Sequence, residues 1–387
     1  MKKPGKDSSL FQLIDQKTFQ VLVDKWYMDK WAQGFKTWEM TCALISAMMM
    51  RLSTYREIEF ALGIPKSTLG DAMKKRCYGF FEDLCDQTLL SIRRQTKDRK
   101  IKRAVREILA LDSSEIRVHG SLFKYPNWLQ MTVSKTSDLH VAAAKLHIVW
   151  NVDGCWVEDH RVTGGHRHDS PVANLFQLQE NKIYVFDRAY CDLTLWLNIE
   201  KAGSHFVTRL KETFLPDHVR TLMNTKSSGV LYDGLYLPSD ISMRRRKIPI
   251  EDRVDIQYRL VIYRDPVSNK TFYFVTSDFK LSAITIATIY KKRWAVELCF
   301  RWFKGHLDVR RLASKTTNSV KVQLAIAILV QLLLQLKKIV TSFSGTLSEL
   351  LYRIRASLVY KSLCTICPPP GCRWAAASRA KHQELIL

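Results

Sequence analysis

The sequence predicts a mixed α/β fold, in which a sheet with helices on its faces follows an N-terminal helical region. Residues 10–100 carry apolar side chains at spacings of three and four, which is the helical pattern, with little strand-like alternation. From about Arg106 short apolar runs replace that pattern, and two of them, Ile108–Leu111 and Ile183–Phe186, are each followed by an aspartate. The predicted strands come first along this part of the chain, and helices and strands then alternate. This order is typical of a mixed sheet flanked by helices.

The net charge indicates a polyanionic partner. The 387 residues include 60 Lys and Arg against 37 Asp and Glu, a formal charge of +23. Each cation that neutralises a phosphate releases a counterion, which favours nucleic acid as the partner. Charge alone leaves a ribosomal or membrane-surface protein open.

The cysteines and the apolar segments argue against two classes of protein. Nine cysteines, an odd number, form no disulfide framework, and no secretory signal opens the chain, so we expect a reducing, cytoplasmic setting. Cys364, Cys367 and Cys372 lack a well-spaced fourth ligand for zinc. The apolar run Val322–Leu336 is interrupted by glutamines and is shorter than the ~20 residues of a membrane-spanning helix. It therefore predicts a buried core helix, and we expect no membrane partner.

Three regions are predicted along the chain. Residues 1–105 form a helical domain, 106–345 an α/β domain with a β-rich insertion at about 211–280, and 346–387 a C-terminal segment. The insertion combines turn-rich pieces with the basic run Arg244–Lys247 and a hairpin pattern. The tail after 360, which includes Pro368–Gly371, is expected to be poorly ordered.

The helical region contains the outline of a helix-turn-helix. Thr54–Leu62 predicts a short helix, Gly63–Pro65 breaks it, and a second helix with a basic end begins at Lys66 or Ser67. Every helix pair has a turn, so an ordinary helical hairpin stays open. The basic side chains of the second helix are the candidate DNA contacts: Lys66, Lys74, Lys75 and Arg76.

Asp112 and Asp187 follow the two buried strands, where carboxylates reach out of the sheet. Either aspartate alone is more often a turn or helix-cap residue. A third acid, Glu297, lies in the segment Tyr290–Lys304, which predicts an amphipathic helix. At about 100° per residue its polar side chains share one face: Tyr290, Arg293, Glu297, Arg301 and Lys304. The opposite face is predicted to pack against the protein: Ala295, Val296, Cys299, Trp302 and Phe303.

The pattern of this helix is explained equally well by a charged face that is only solvated and by a charged face that has a function. A carboxylate among several cations, however, suits a site that binds phosphate beside a metal. Three carboxylates can hold two Mg²⁺ ions, which prefer oxygen ligands. Two such ions about 3.5–4 Å apart stabilise the attacking and leaving oxygens of an in-line displacement at phosphorus.

The segment Tyr290–Lys304 resembles the Y-x₂-R-x₃-E-x₆-K signature of the hairpin-forming DDE transposases of bacterial insertion sequences. Asp112 and Asp187 resemble the first and second acidic positions of that family. The segments Lys145–His147 and His168–Ser170 are also similar to its catalytic domain. The resemblance covers about residues 10–345, and the C-terminal tail matches nothing in the family.

The resemblance implies a ribonuclease-H-like catalytic domain with a β-rich insertion between the second Asp and the Glu. It implies an N-terminal domain that binds the terminal inverted repeats of an element, and a homodimer that pairs two ends with target DNA. Similar enzymes nick one strand with water, close a hairpin with the released 3′-hydroxyl, reopen it and join the end to the target. The expected setting is the nucleoid of a bacterial cytoplasm.

By the same resemblance, Asp112, Asp187 and Glu297 bind two Mg²⁺ ions, for which Mn²⁺ can substitute. The DNA contacts near the cut are Tyr290, Arg293 and Lys304, with Arg301 and Trp294 as further candidates. Trp294 suits stacking on a displaced base, but a core position explains it equally well. His166 and His168 are left out of the metal site because hard Mg²⁺ disfavours imidazole.

Two other functions stay open at this point. One is a DNA-binding protein without catalysis, such as an inactivated copy that occupies and represses element ends. The other is a stand-alone nuclease with the same core. The complete acidic triad argues against the first, and the Tyr-Arg-Glu-Lys pattern argues against the second.

Overall fold

The structure is a computed structural model that describes residues 10–100, 106–124, 131–133, 140–210, 229–239, 243, 247–249, 256–309 and 315–366. The chain divides into two compact units. A helical unit comprises residues 1–103, 116–144 and 302–387, and a sheet unit comprises residues 104–115 and 145–301. The predicted boundary near 345 is therefore wrong for the end of the chain, since residues 302–345 belong to the unit that holds the N-terminal helices.

The described helices, in chain order, are α1 Gln16–Lys25, α2 Thr37–Met50, α3 Tyr55–Leu62, α4 Lys66–Lys75, α5 Tyr78–Lys100, α6 Asp169–Ala173, α7 Leu193–Lys201, α8 Ala283–Lys291, α9 Trp294–His306, α10 Thr317–Val340 and α11 Leu347–Ile366. The described strands are β1 Glu107–Arg117, β2 Met131–Val133, β3 His140–Asn151, β4 Trp156–Gly164, β5 Lys182–Phe186, β6 His205–Arg209, β7 Gly229–Tyr236, β8 Tyr258–Arg264 and β9 Thr271–Thr276.

The sheet unit is built on a mixed sheet, as the sequence predicts. The strand order of the sheet is β2-β3-β1-β5-β6-β9-β8-β7, and β4 also pairs with β3. The central strands β1, β5 and β6 run parallel, whereas β9, β8 and β7 are antiparallel. The predicted hairpin of the insertion is present as β8 and β9, and β9 pairs with β6. The described strands of the insertion thus extend the main sheet instead of forming a separate β domain.

Helices cover both faces of this sheet. On one face Leu109 and Phe186 pack with α7, in a cluster that includes Trp196. On the other face Ile108 and Val185 pack with apolar residues of α8. Because successive residues of a strand point to opposite faces, every second residue of β1 and β5 is directed toward α8.

The predicted core helix is present as α10, which packs against α5, α2 and α11 of the helical unit. Its length and composition would also suit a membrane span, but 89% of its most apolar window is buried inside the protein. Asn318 near its start donates from its side-chain amide to the carbonyls of Met73 and Arg76, at 3.0 and 2.8 Å. A helix that is apolar all round needs partners on every side, which explains why it joins the N-terminal helices.

The predicted helix pair is present as α3 and α4. Thr54 and Glu57 form a capping box at the start of α3, and Gly63 ends it with a φ of 69° that suits glycine. Lys66, Lys74 and Lys75 are exposed on α4. Arg76 is not, and its predicted DNA contact is wrong: the side chain is 7% exposed and lies 3.5 Å from Asp29. Its guanidinium also donates to the carbonyl of Phe35, so its charge is used inside the unit.

The helix predicted over Tyr290–Lys304 is divided between the end of α8 and α9. Lys292 and Arg293 form a turn between them, where successive backbone N–H groups bond three residues back. Such bonds tighten the helix to about three residues per turn, so the face calculated for an unbroken α-helix shifts at this point.

At the C-terminus α11 reaches Ile366, past the position near 360 where the tail was predicted to begin. Arg244–Arg246, Cys367, Cys372 and the rest of the tail lie outside the described residues.

Candidate active site

Asp112 lies in the sheet unit on β1, immediately after the buried residues Ile108–Leu111. The strand continues to Arg117, so the prediction that it ends at Asp112 is wrong. What ends here is its pairing with β5, whose last matched positions are Ala110 and Val185. Asp112 is therefore still part of β1 but no longer pairs with β5.

Asp187 follows β5 and opens a short 3₁₀ turn, Arg188–Tyr190. Its Oδ1 accepts a hydrogen bond from the backbone N–H of Ala189 at 2.7 Å. Asp112 is held in a similar way, since its Oδ1 accepts from the N–H of Ser113 at 2.8 Å. Both carboxylates are therefore oriented by the backbone that follows them.

Glu297 lies on the first turns of α9 and joins the site through Arg293. The guanidinium of Arg293 donates to Glu297 Oε1, and its other terminal nitrogen lies 3.4 Å from Asp112 Oδ2. The side chain of Arg293 is only 14% exposed. Arg293 and Glu297 thus face the same way, and a buried cation lies between two of the three predicted acids.

The acids also interact electrostatically. The pKa of Asp112 is raised to about 6, chiefly by burial and to a smaller extent by the charges of Asp187 and Glu297, while the hydrogen bond from Ser113 and the charge of Arg293 oppose the increase. Carboxylates affect each other in this way only when they are close in space. Asp187 and Glu297 therefore act on Asp112 from positions far apart in the sequence, and Arg293 links Asp112 to Glu297 directly.

The donor set has the chemistry that Mg²⁺ prefers, because it consists of carboxylate oxygens. Within the described ranges, no three His, Cys, Asp or Glu side chains are already arranged closely enough to hold a metal ion. The guanidinium of Arg293 pairs with both Asp112 and Glu297 and so occupies the space between these two carboxylates. A cation could bind there once that guanidinium moves aside.

The other residues of the predicted helix face are distributed differently. Tyr290 is 9% exposed and packs against Phe274, so it belongs to the core and not to an open face. Its ring lies 5.9 Å from the guanidinium carbon of Arg293. Trp294 is 49% exposed, which argues against the core position that the sequence left open. Arg301 is exposed and Lys304 is half-buried on α9, where Lys304 already belongs to the helical unit.

The packing face of α9 is largely as predicted. Val296, Cys299 and Phe303 are buried, and Phe300 joins them. Trp302 is half-buried and donates its indole N–H to Ser348 Oγ at 3.1 Å.

A second polar cluster, which was not predicted from the sequence, lies beside Asp112. Asp169, the first residue of α6, accepts a hydrogen bond from Ser113 Oγ at 2.7 Å. Lys145 Nζ lies 3.3 Å from the same carboxylate oxygen, and His147 Nδ1 lies 3.6 Å from it. Burial lowers the pKa of His147 to about 4, so its imidazole is neutral at pH 7. The available signal was the pair of segments Lys145–His147 and His168–Ser170, which the resemblance had already marked.

Comparisons with known proteins agree with the family that the acidic residues suggest. A family model described as "Transposase DDE domain" matches residues 103–333, more than half of the chain. The chain is 30% identical over 245 residues to "Putative transposase y4zB" of Sinorhizobium fredii, an alignment that spans 62% of this chain and 63% of that protein. It is 26% identical over 299 residues to "Putative transposase for insertion sequence element IS4SA" of Synechocystis sp., across 76% of this chain and 78% of that protein.

The match to the Sinorhizobium protein thus spans less than two thirds of that relative's length. Among solved structures, the chain is similar to one described as "Cryo-EM structure of piggyBac transposase synaptic complex with hairpin DNA". That similarity has a TM-score of 0.49 and 11% sequence identity, and covers 97% of this chain and 84% of the other.

Proposed function

This chain belongs to the DDE transposase family, and from that premise we propose that it cuts and rejoins DNA as the transposase of an insertion sequence. The observation that carries the proposal is the pairing of Arg293 with both Asp112 and Glu297, together with the electrostatic interaction of Asp112 with Asp187 and Glu297. The excess of basic residues, a formal charge of +23, supports DNA as the substrate. The mixed sheet, in which β1, β5 and β6 run parallel and β9, β8 and β7 are antiparallel, supports a ribonuclease-H-like catalytic core.

The proposed metal ligands are Asp112, Asp187 and Glu297, which would hold two Mg²⁺ ions, with Mn²⁺ as a substitute. When bound, such ions polarise the phosphoryl oxygens and stabilise the attacking and leaving oxygens. The backbone N–H groups of Ser113 and Ala189 fix the two aspartates before any ligand arrives. That preorganisation lowers the cost of assembling the site.

Arg293 has two partners in this proposal. Without DNA, its guanidinium neutralises Asp112 and Glu297. With DNA and metal in place, the guanidinium turns to a phosphate next to the scissile bond, where a charge-assisted hydrogen bond positions the strand. The ring of Tyr290 packs against Arg293 and supports that side chain. Because Tyr290 is buried, we assign it this supporting role ahead of the direct DNA contact that the resemblance implies.

The exposed end of α9 is the proposed contact with the flanking DNA. Arg301 and Lys304 would bind phosphates, and the exposed ring of Trp294 would stack on a base displaced near the cut. Displaced bases arise when one strand folds back on the other, so Trp294 suits the hairpin-forming route that the signature implies. In that route water first releases a 3′-hydroxyl, which then attacks the opposite strand.

Recognition of the element ends is assigned to α3 and α4. Their exposed Lys66, Lys74 and Lys75 would contact phosphates of the terminal inverted repeats. Because two ends must be cut and joined together, we propose a homodimer on DNA, acting in the bacterial cytoplasm.

The test is an assay of the full chain on a labelled duplex that carries the terminal repeats flanking its gene. In Mg²⁺ the proposal expects nicking, a hairpin product and joining to a second duplex. If the chain nicks the duplex but forms no hairpin and joins no ends, it is a nuclease and the proposal is wrong. If it binds the duplex without cleaving it, it is a DNA-binding protein without catalysis.

A further inference from the structure

A network of polar side chains lies on the opposite side of β1 from the proposed metal ligand Asp112. Neighbouring strand residues point to opposite faces of a sheet. Asp112 has the parity of Ile108 and points toward the α8 face, whereas Ser113 has the parity of Leu109 and points toward the α7 face. On that side Ser113 Oγ donates to Asp169 Oδ1 at 2.7 Å.

Asp169 is the centre of this network. Its Oδ1 receives the Ser113 hydroxyl and lies 3.3 Å from Lys145 Nζ, and both Lys145 and Asp169 are mostly buried, at 12% and 20% exposure. Lys145 is fixed in turn, since Nζ donates to the carbonyl of Arg167 at 3.0 Å. A buried carboxylate is costly unless it is paired and hydrogen-bonded, and both conditions are met here.

The buried ring of Tyr190 connects the two sides. Tyr190 is 1% exposed, lies beside Ser113, and interacts electrostatically with Asp169 and Asp112. Tyr190 also belongs to the turn that Asp187 opens. The same network therefore borders both of the backbone segments that orient the two aspartates.

We propose that Asp169 is a positioning residue for the metal site, acting through Ser113 on Asp112. The Asp169 carboxylate anchors the Ser113 side chain, and the backbone N–H of Ser113 then holds Asp112 Oδ1 in place at 2.8 Å. Lys145 balances the charge of Asp169, so that this fourth carboxylate supports the site without competing for its cation. The inference rests on the proposed function, because it assumes that Asp112 binds metal.

The test measures Mn²⁺ binding to the full chain by electron paramagnetic resonance, which does not depend on activity. Loss of an outer partner of a metal ligand typically lowers metal affinity by roughly 10- to 100-fold, and we expect this for Asp169→Ala. The matched control is Asp159→Ala. Asp159 is also 20% exposed and is likewise paired with a cation, here Arg161 at 2.6 Å, so its loss should cost comparable stability and leave Mn²⁺ affinity unchanged.

A double-mutant cycle tests the route through Ser113. Ser113→Ala should weaken Mn²⁺ binding in the same direction, and its effect should not add to that of Asp169→Ala, because both changes break one connection. If Asp169→Ala fails to fold, the Ser113→Ala result alone decides. Unchanged Mn²⁺ affinity in these variants, or losses that add fully, would overturn the inference. A wild-type chain that binds no Mn²⁺ would overturn the proposed metal site itself.

Discussion

Asp112 and Asp187 stand at matching positions of two parallel neighbouring strands, each two residues beyond the last paired positions, Ala110 and Val185. Matching positions on adjacent parallel strands direct their side chains to the same face. Both carboxylates are thus directed to the face that α8 covers, near the start of α9 with Arg293 and Glu297. The sheet register, more than any loop, places the first two acids together.

The pKa of Asp112 predicts a pH-dependent cost in stability. Burial raises this pKa from 3.8 to about 6, so the folded chain holds the proton more tightly than the unfolded one. The resulting stabilisation is fully present below pH 4 and is lost as the pH rises through 6, a change of about 3 kcal/mol.

Asp112→Asn removes that titration. At pH 7 the variant should be more stable than the wild type by up to about 3 kcal/mol, and the difference should shrink toward pH 4. Urea unfolding at both pH values measures the two free energies. An Asn variant whose advantage is the same at pH 4 and pH 7 would show that the carboxyl is not perturbed by burial.

Arg293→Gln should change metal binding and catalysis in opposite directions. In the DNA-free chain, removing a cation that pairs with Asp112 and Glu297 should tighten Mn²⁺ binding. In the cleavage reaction, loss of a charge-assisted phosphate contact should cost roughly 1.5–3 kcal/mol, or about ten- to a hundred-fold in rate, with hairpin closure slowed more than the first nick. Lys304→Ala should slow hairpin closure in the same way.

Lys291→Gln is the control for Arg293→Gln. Lys291 ends α8, is 67% exposed and lies 3.3 Å from Asp265, so its loss removes the same charge without touching the acids. Mn²⁺ affinity and hairpin rate should stay near the wild-type values. If Lys291→Gln matches Arg293→Gln in both measurements, the cations act only as a diffuse basic surface.

The exposed lysines of α4 should govern DNA affinity. Replacing Lys66, Lys74 and Lys75 with Ala in the full chain should weaken binding to the terminal repeats and reduce its salt dependence. Arg76→Ala should instead lower the free energy of unfolding, because it leaves Asp29 and the Phe35 carbonyl without their partner. Fluorescence anisotropy at several salt concentrations checks the first effect and urea unfolding the second. Equal DNA affinity in the triple variant and the wild type would move end recognition away from α4.

Much of this architecture follows from local patterns in the sequence. The apolar runs before Asp112 and Asp187 mark two buried strands, and Gly63 marks the turn between α3 and α4 at a φ that favours glycine. The spacing of four between Arg293, just before α9, and Glu297 also predicts their approach, since residues four apart are neighbours on a helix.

Other features depend on contacts that no local pattern contains. Tyr290 is buried because α8 packs on the sheet, and the turn at Lys292 and Arg293 changes the phase between α8 and α9. Arg76 ends a basic helix, yet its side chain turns inward to Asp29. Asp169 meets Ser113 across 56 residues of sequence, and only the folded sheet brings the two together.

Paired binding and cleavage measurements on Glu297→Gln test the central claim most directly. This change removes one negative charge and preserves the volume of the side chain, so a full-length variant should bind the terminal repeats with nearly wild-type affinity. If Asp112, Asp187 and Glu297 hold the catalytic metal ions, nicking of the labelled duplex in Mg²⁺ should fall to the level of a reaction without protein. Nicking at a rate within a few-fold of the wild type would contradict the shared acidic site.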